Sequence, residues 1–245
     1  RLVLLLLNQP LKHADSLFMS LWRRADLRIC ADGAANRLYD SFHSPTATPS
    51  SSPKPLKSTD SDTAEQYIPD GICGDMDSIR PDVSQYFAHR GTEINHVRDQ
   101  DTTDFMKCLN WIDQLQVRHG WTDSAMTVIA YGNLGGRLDQ TMSSLYVLFN
   151  FGASKQIYLA NPESITFLLP KGKNQIECDW YKSQPACGII PLGVSSATVT
   201  TTGLRWNLDN TETSFNGLLS TSNIPDAPEI VVDTSEPVIW TIELK

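Results

Sequence analysis

The chain has 245 residues, 40% apolar and 20% charged, with a formal net charge of -8. That composition fits one large or two modest soluble domains, and the acidic balance argues against a nucleic-acid binder, whose surface would carry a basic stripe. Its five cysteines, Cys30, Cys73, Cys108, Cys178 and Cys187, are odd in number and form no C-x-x-C pair. Neither a disulfide framework nor a thiolate metal site is expected, and a reducing, cytoplasmic setting is.

The apolar run at 2–7 is too short to cross a membrane and reads as a buried parallel strand. Residues 16–24 read as a helix with Leu17 and Leu21 on one face. A strand at 27–31 stops at Asp32-Gly33, and 34–40 reads as a helix. Between 44 and 66, fourteen of 23 residues are Ser, Pro or Thr and the only large aliphatic one is Leu56. Such a segment cannot bury enough surface to offset its ordering entropy, so it reads as a disordered insertion. Strands follow at 71–74 and 93–97. From 102 to 117, Phe105, Leu109, Ile112 and Leu115 recur at helical spacing, with Thr102 or Thr103 as cap. A strand at 125–131 and a glycine turn lead into a helix whose face carries Leu138, Met142, Leu145, Tyr146 and Phe149. Beyond 155 the texture changes. The runs 157–160, 164–169, 187–191, 197–202, 217–221, 229–232 and 238–244 are short and β-rich, separated by Gly, Pro, Asn and Asp, which predicts antiparallel pairing. The fold class expected is an α/β N-terminal domain with a mainly parallel sheet (1–155) and an all-β C-terminal sandwich or barrel-like domain (156–245).

Four acidic or glycine-rich clusters end the apolar stretches of the first domain. They are Asp32-Gly33-Ala34-Ala35-Asn36, Gly74-Asp75-Met76-Asp77-Ser78, Asp99-Gln100-Asp101-Thr102-Thr103-Asp104, and Gly132-Asn133-Leu134-Gly135-Gly136-Arg137-Leu138-Asp139-Gln140. Parallel α/β sheets bind ligands at the carboxyl ends of their strands, which is where these clusters fall. Clustered carboxylates repel one another, so a hard cation among the oxygens accounts for them. If the backbone stays extended, Asp75 and Asp77 point the same way. Asp101 and Asp104 would share a helical face, with Lys107 a further turn along, holding carboxylates or a phosphate. The glycine turn offers backbone N–H groups at a helix N-terminus, and Arg137 can fork onto a phosphate. In the second domain, Trp206 can stack on an aromatic ligand, and Ser220, Ser222 and Asn223 can hydrogen-bond a heterocycle. On these residues alone, a Mg²⁺-dependent phosphotransferase, a phosphohydrolase and a non-catalytic binding protein all remain open.

Taken in order with Thr201-Thr202-Gly203-Leu204-Arg205-Trp206-Asn207-Leu208 and Ser220-Thr221-Ser222-Asn223, the clusters resemble the thiamin pyrophosphokinase family over nearly the whole chain. The 44–66 insertion lacks a counterpart in compact members. The resemblance implies a catalytic domain over 1–155, a thiamin-binding domain over 156–245, Mg²⁺, and pyrophosphoryl transfer from ATP to thiamin. It also implies a homodimer whose thiamin pocket comes from the partner subunit, with neither nucleic acid nor membrane as partner. Carried onto this chain, Asp32, Asp75, Asp77, Asp101 and Asp104 surround the metal, and Asp77, Asp104 and Arg137 serve catalysis. Asn36, Ser78, Lys107, Gly135, Gly136, Arg137, Asp139 and Gln140 form the ATP side. Gln100, Leu204, Trp206, Ser220, Ser222 and Asn223 form the thiamin side. Position 140 is Gln where some members carry His.

Overall fold

A computed structural model describes residues 1–11, 16–43, 66–121, 125–132, 134–152 and 155–244. The expected disorder at 44–66 therefore falls, apart from Gln66, outside the described residues. The chain divides into two compact units, Arg1–Ala125 and Met126–Lys245.

In the first unit, strands β1 (Leu2–Leu6), β2 (Leu27–Ala31), β3 (Gly71–Gly74) and β4 (Glu93–His96) lie side by side in chain order, all parallel. Val3, Leu4, Leu5 and Leu6 are buried in succession, which is the pattern of a strand covered on both faces. Helix Ser16–Arg24 packs on β1, and helix Asp104–Arg118 packs on β2 and β3. Helix Ala34–His43 packs on β2 and on helix Pro81–Ala88. The first helix buries Phe18, Leu21 and Trp22, while Leu17 is only half-buried. The expected Leu17 and Leu21 face is thus turned toward the two aromatics, whose ring centroids lie 5.7 Å apart. Helix Pro81–Ala88 has no counterpart among the expected elements; Pro81 in its first turn is the signal that marks it. Helix Asp104–Arg118 starts where the pattern predicts. Thr103 caps it, its hydroxyl accepting from the Met106 N–H at 3.3 Å.

The second unit begins with β5 (Thr127–Tyr131) parallel to β6 (Gln156–Ala160), joined through helix Leu138–Phe151. From β6 the order runs on through β7 (Ser164–Leu169), β14 (Val238–Glu243), β9 (Cys187–Ile190) and β12 (Ser220–Asn223), each pair antiparallel. A second antiparallel sheet holds, in order, β11 (Thr211–Thr213), β10 (Ala197–Thr202), β13 (Glu229–Thr234) and β8 (Gly172–Glu177). Leu169, Ile189, Trp240 and Ile242 of the first sheet meet Val199, Ile230 and Val232 of the second in one apolar core, so the β-rich part is a sandwich. Strand β8 lies at a sheet edge and exposes Lys173, Gln175 and Glu177, which leaves too little apolar signal to predict it. No helix among the described residues is long and apolar enough to cross a membrane.

The helix Asp104–Arg118 carries two of the predicted site residues at its start, so its cap bears on function. Thr103→Ala should lower the unfolding free energy by about 1 kcal/mol, read as a shift in the urea midpoint at unchanged slope.

Candidate active site

Strand β2 ends at Asp32, a buried carboxylate on a left-handed backbone with φ 36°. Aspartate tolerates that conformation better than most residues. Its N–H donates to the Cys73 carbonyl at 3.0 Å. Its carboxylate accepts from the Ser78 N–H at 3.0 Å and from the Ile79 N–H at 2.9 Å. The loop after β3 is thereby stitched back onto the end of β2. Asn36 completes the stitch: its amide donates to the Ser78 carbonyl at 2.8 Å and accepts from the Arg80 N–H at 3.0 Å.

Within that loop Asp75 sits just past β3, and Asp104 reaches it from the helix start. One oxygen each of Asp32, Asp75 and Asp104 lie within 4.8 Å of one another. Gly74 makes the convergence possible, because a Cβ there would stand 2.6 Å from the Asp32 Cβ and 3.1 Å from Asp104 Oδ1. The Lys107 ammonium donates to Asp75 Oδ2 at 3.3 Å and to Asp104 Oδ1 at 3.1 Å, with its side chain only 3% exposed. Gln100 donates to the same Asp75 oxygen at 3.1 Å.

The electrostatics follow from these contacts. Desolvation raises the Asp32 carboxyl above the usual range, with the nearby Asp104 and Asp75 adding repulsion that the Ser78 and Ile79 N–H groups only partly offset. Desolvation also acts on Asp75. There the Asp77 N–H, the Lys107 ammonium and the Gln100 amide outweigh it and hold the carboxyl low. Burial alone would lower Lys107, yet its two carboxylate partners raise it, so it stays protonated. Hard oxygen donors this close, of which Asp75 and Asp104 remain partly exposed, suit a divalent cation that keeps some of its water.

Two geometric expectations fail. Met76 adopts φ 64° and the Asp77 N–H turns back to Asp75 Oδ1 at 3.3 Å. The segment is therefore a tight turn rather than extended, and Asp77 stands exposed with the Ser78 hydroxyl on its carboxylate at 2.8 Å. Asp101 precedes the helix, is exposed, and its N–H donates to Asp99 Oδ1 at 2.9 Å. It does not share a helical face with Asp104.

In the second unit, Gly132, Gly135 and Gly136 all take positive φ. The Gly135 N–H donates to the Thr141 hydroxyl at 3.3 Å. Arg137 caps helix Leu138–Phe151 and pairs with Asp139 through its Nε at 3.0 Å, both side chains well exposed. Gln140 is exposed, and its carbonyl accepts from the Ser144 hydroxyl at 3.1 Å. On the sandwich, Leu204 is buried, Trp206 is 58% exposed, Asn223 is buried against the Trp206 backbone, and buried Ser220 accepts from the Asn223 amide. Ser222 is exposed with φ 56°. A cavity of about 630 Å³ lies elsewhere in this unit, lined by Tyr158, Phe167, Ile176, Trp180 and Trp240. None of the predicted site residues borders it, so volume alone does not mark the chemistry here.

Residues 18–160 match the family model described as the thiamin pyrophosphokinase catalytic domain, and 173–239 match its vitamin B1 binding domain. The chain is 42% identical to "Thiamine pyrophosphokinase 1" of Oryza sativa subsp. japonica, covering 98% of this chain and 86% of that protein. It is 39% identical to "Thiamine pyrophosphokinase 1" of Arabidopsis thaliana, over 100% and 87%. Among solved structures it resembles yeast thiamin pyrophosphokinase with TM-score 0.83 and 27% identity, covering 100% of this chain and 86% of that one. The Candida albicans thiamin pyrophosphokinase gives TM-score 0.80 at 27% identity, covering 100% and 89%.

Lys107 is the one cation bonded to both Asp75 and Asp104 among the described contacts. Lys107→Met should lower the stability of the metal-free protein by on the order of 3 kcal/mol. Added Mg²⁺ should raise the variant's melting temperature more than the parent's, since the ion replaces the missing charge. Equal melting temperatures in chelator would contradict this.

Proposed function

The chain belongs to the thiamin pyrophosphokinase family, and on that premise we propose how its residues serve the reaction. The enzyme transfers a pyrophosphoryl group from ATP to the hydroxyl of thiamin, giving thiamin diphosphate and AMP. The thiamin oxygen forms a bond to the β-phosphorus, the bond from that phosphorus to the bridging oxygen of the α-phosphate breaks, and AMP departs.

The observation that carries the reading is the convergence of Asp32, Asp75 and Asp104. These three would hold Mg²⁺, with Asp77 and Asp101 as further acidic groups on the solvent side. Bound there, Mg²⁺ offsets charge on the phosphate oxygens and orients them for displacement. Lys107 keeps Asp75 and Asp104 together beneath the nucleotide. Asn36 and Ser78 serve the ATP side by fixing the loop that carries Asp75 and Asp77. Gly135, Gly136, Arg137, Asp139 and Gln140 form the phosphate-binding turn, where Arg137 exchanges Asp139 for phosphate oxygens. Asp77, exposed beside the Asp75 turn, or Asp104 accepts the thiamin hydroxyl proton. Thiamin is cationic, so the face of Trp206 attracts it; Leu204, Ser220, Ser222 and Asn223 build that side, and Gln100 helps hold the substrate near Asp75.

The functional boundary is assigned near 155–156, and the site is assigned to a homodimer, each thiamin surface serving the partner's metal centre. Exposed Leu138, Met142 and Tyr146 recur every four residues along one helix, an apolar stripe that a second copy would cover. Five buried, free cysteines support a reducing cytoplasm as the compartment.

Incubated with Mg²⁺, ATP and thiamin, the protein should form AMP and thiamin diphosphate in equal amounts. AMP release without thiamin would point to hydrolysis instead. Asp75→Asn should fold and lose about a hundredfold or more of this activity; near-normal turnover would refute the assignment. The dimer has its own test. Trp206→Ala and Asp75→Asn homodimers should each be nearly inactive. After subunit exchange, half the dimers are mixed and each has one intact site, so about a quarter of parental activity should return. No recovery after demonstrated exchange would contradict the composite site.

A further inference from the structure

Trp206 is the aromatic candidate on the thiamin side; it is 58% exposed, with the Arg205 guanidinium 5.8 Å from its ring centroid. Its backbone, by contrast, is tightly held. The turn that carries it is fastened to the segment after β12. Leu204 bridges Pro225, the Arg205 N–H donates to the Ile224 carbonyl at 2.8 Å, and the Asp226 N–H donates to the Gly203 carbonyl at 2.9 Å. Gly203 allows the close approach, with φ 84° and a would-be Cβ only 2.2 Å from the Glu229 carbonyl oxygen.

At the centre of this fastening stands Asn223, 3% exposed. Its Oδ1 accepts from the Trp206 N–H at 3.2 Å and from the Ile224 N–H at 2.9 Å. Its Nδ2 donates to the Trp206 carbonyl at 2.8 Å and to the Ser220 hydroxyl at 3.4 Å. A carboxamide has two donor hydrogens and two acceptor lone pairs, so these four bonds use its whole capacity. The orientation of the amide is fixed as well, since a flip would set its NH₂ against two backbone N–H groups. The left-handed Ser222, and the register shift between Ser220 and Asn223, break the strand where Asn223 makes these bonds.

We infer that Asn223 is a positioning residue: one side chain clamps both backbone groups of Trp206, and it acts on the substrate only through the indole thus held. This rests on the reading that Trp206 stacks on thiamin, and it replaces a direct thiamin contact by Asn223 with an indirect one. Losing the clamp strands partly buried backbone groups and loosens the indole, while the acidic cluster in the other unit is untouched. Thiamin affinity should therefore suffer and ATP affinity should not.

The test is a double-mutant cycle read in steady-state kinetics. Asn223→Ala should raise KM for thiamin about tenfold or more, with KM for ATP and the Mg²⁺ dependence unchanged. Asn223→Asp keeps the acceptor for the Trp206 and Ile224 N–H groups and should recover part of the loss; it also carries the test if the alanine variant fails to fold. In a Trp206→Ala background, either Asn223 substitution should add nothing further to KM for thiamin. Hydrogen exchange should quicken at the Trp206 and Ile224 amides of the Asn223 variants and stay slow at Leu208, which Thr201 holds. Multiplying effects in the double variant would mean that Asn223 meets thiamin directly and would overturn the inference alone. An unchanged KM for thiamin in Trp206→Ala would overturn the stacking reading and this inference with it.

Discussion

Three carboxylates within 4.8 Å of one another cannot share a half-buried site without a cation to offset their repulsion. The Lys107 ammonium, one helical turn beyond Asp104 and bonded to Asp104 and Asp75, supplies the first positive charge. Three negative charges against that one positive leave a formal -2, which a divalent ion neutralises. The local structure is arranged around this balance. Gly74 leaves room for the approach, Asp32 ties down the loop that carries Asp75, and Thr103 caps the helix that carries Asp104 and Lys107.

The same residues thus do two jobs. Asp32 closes the β3 loop through two backbone N–H groups and still offers an oxygen to the carboxylate group. Asn36 and Ser78 secure the same loop rather than standing free for a ligand. In the other unit, Arg137 and Asp139 are paired and exposed, a contact that solvent weakens and that a phosphate can displace. The buried acidic centre is preorganised. The exposed arginine is held only loosely.

Much of this was legible from residue order. The alternation of apolar runs and helical spacing located β1 to β6 and the helix that starts at Asp104, and acidic groups at strand ends located the cluster of Asp32, Asp75 and Asp104. What remained hidden depended on single backbone torsions or on edge positions. Nothing in Asp75-Met76-Asp77 says that Met76 turns left-handed and parts the two carboxylates. Asp101 and Asp104 have helical spacing, yet the Thr103 cap starts the helix between them. Edge strand β8 has only Ile176 to signal burial, and Asn223 looks like any ligand-binding amide until its four partners are seen.

The central claim is that Asp32, Asp75 and Asp104 together hold the divalent cation that accompanies ATP. Mn²⁺ titrated into the protein with a non-hydrolysable ATP analogue, and followed by electron paramagnetic resonance, tests it directly. The parent should take up Mn²⁺ that Asp75→Asn and Asp104→Asn fail to retain at the same concentration, while both variants keep the parental fold by circular dichroism. Unchanged Mn²⁺ affinity in both variants would contradict the claim and place the metal elsewhere.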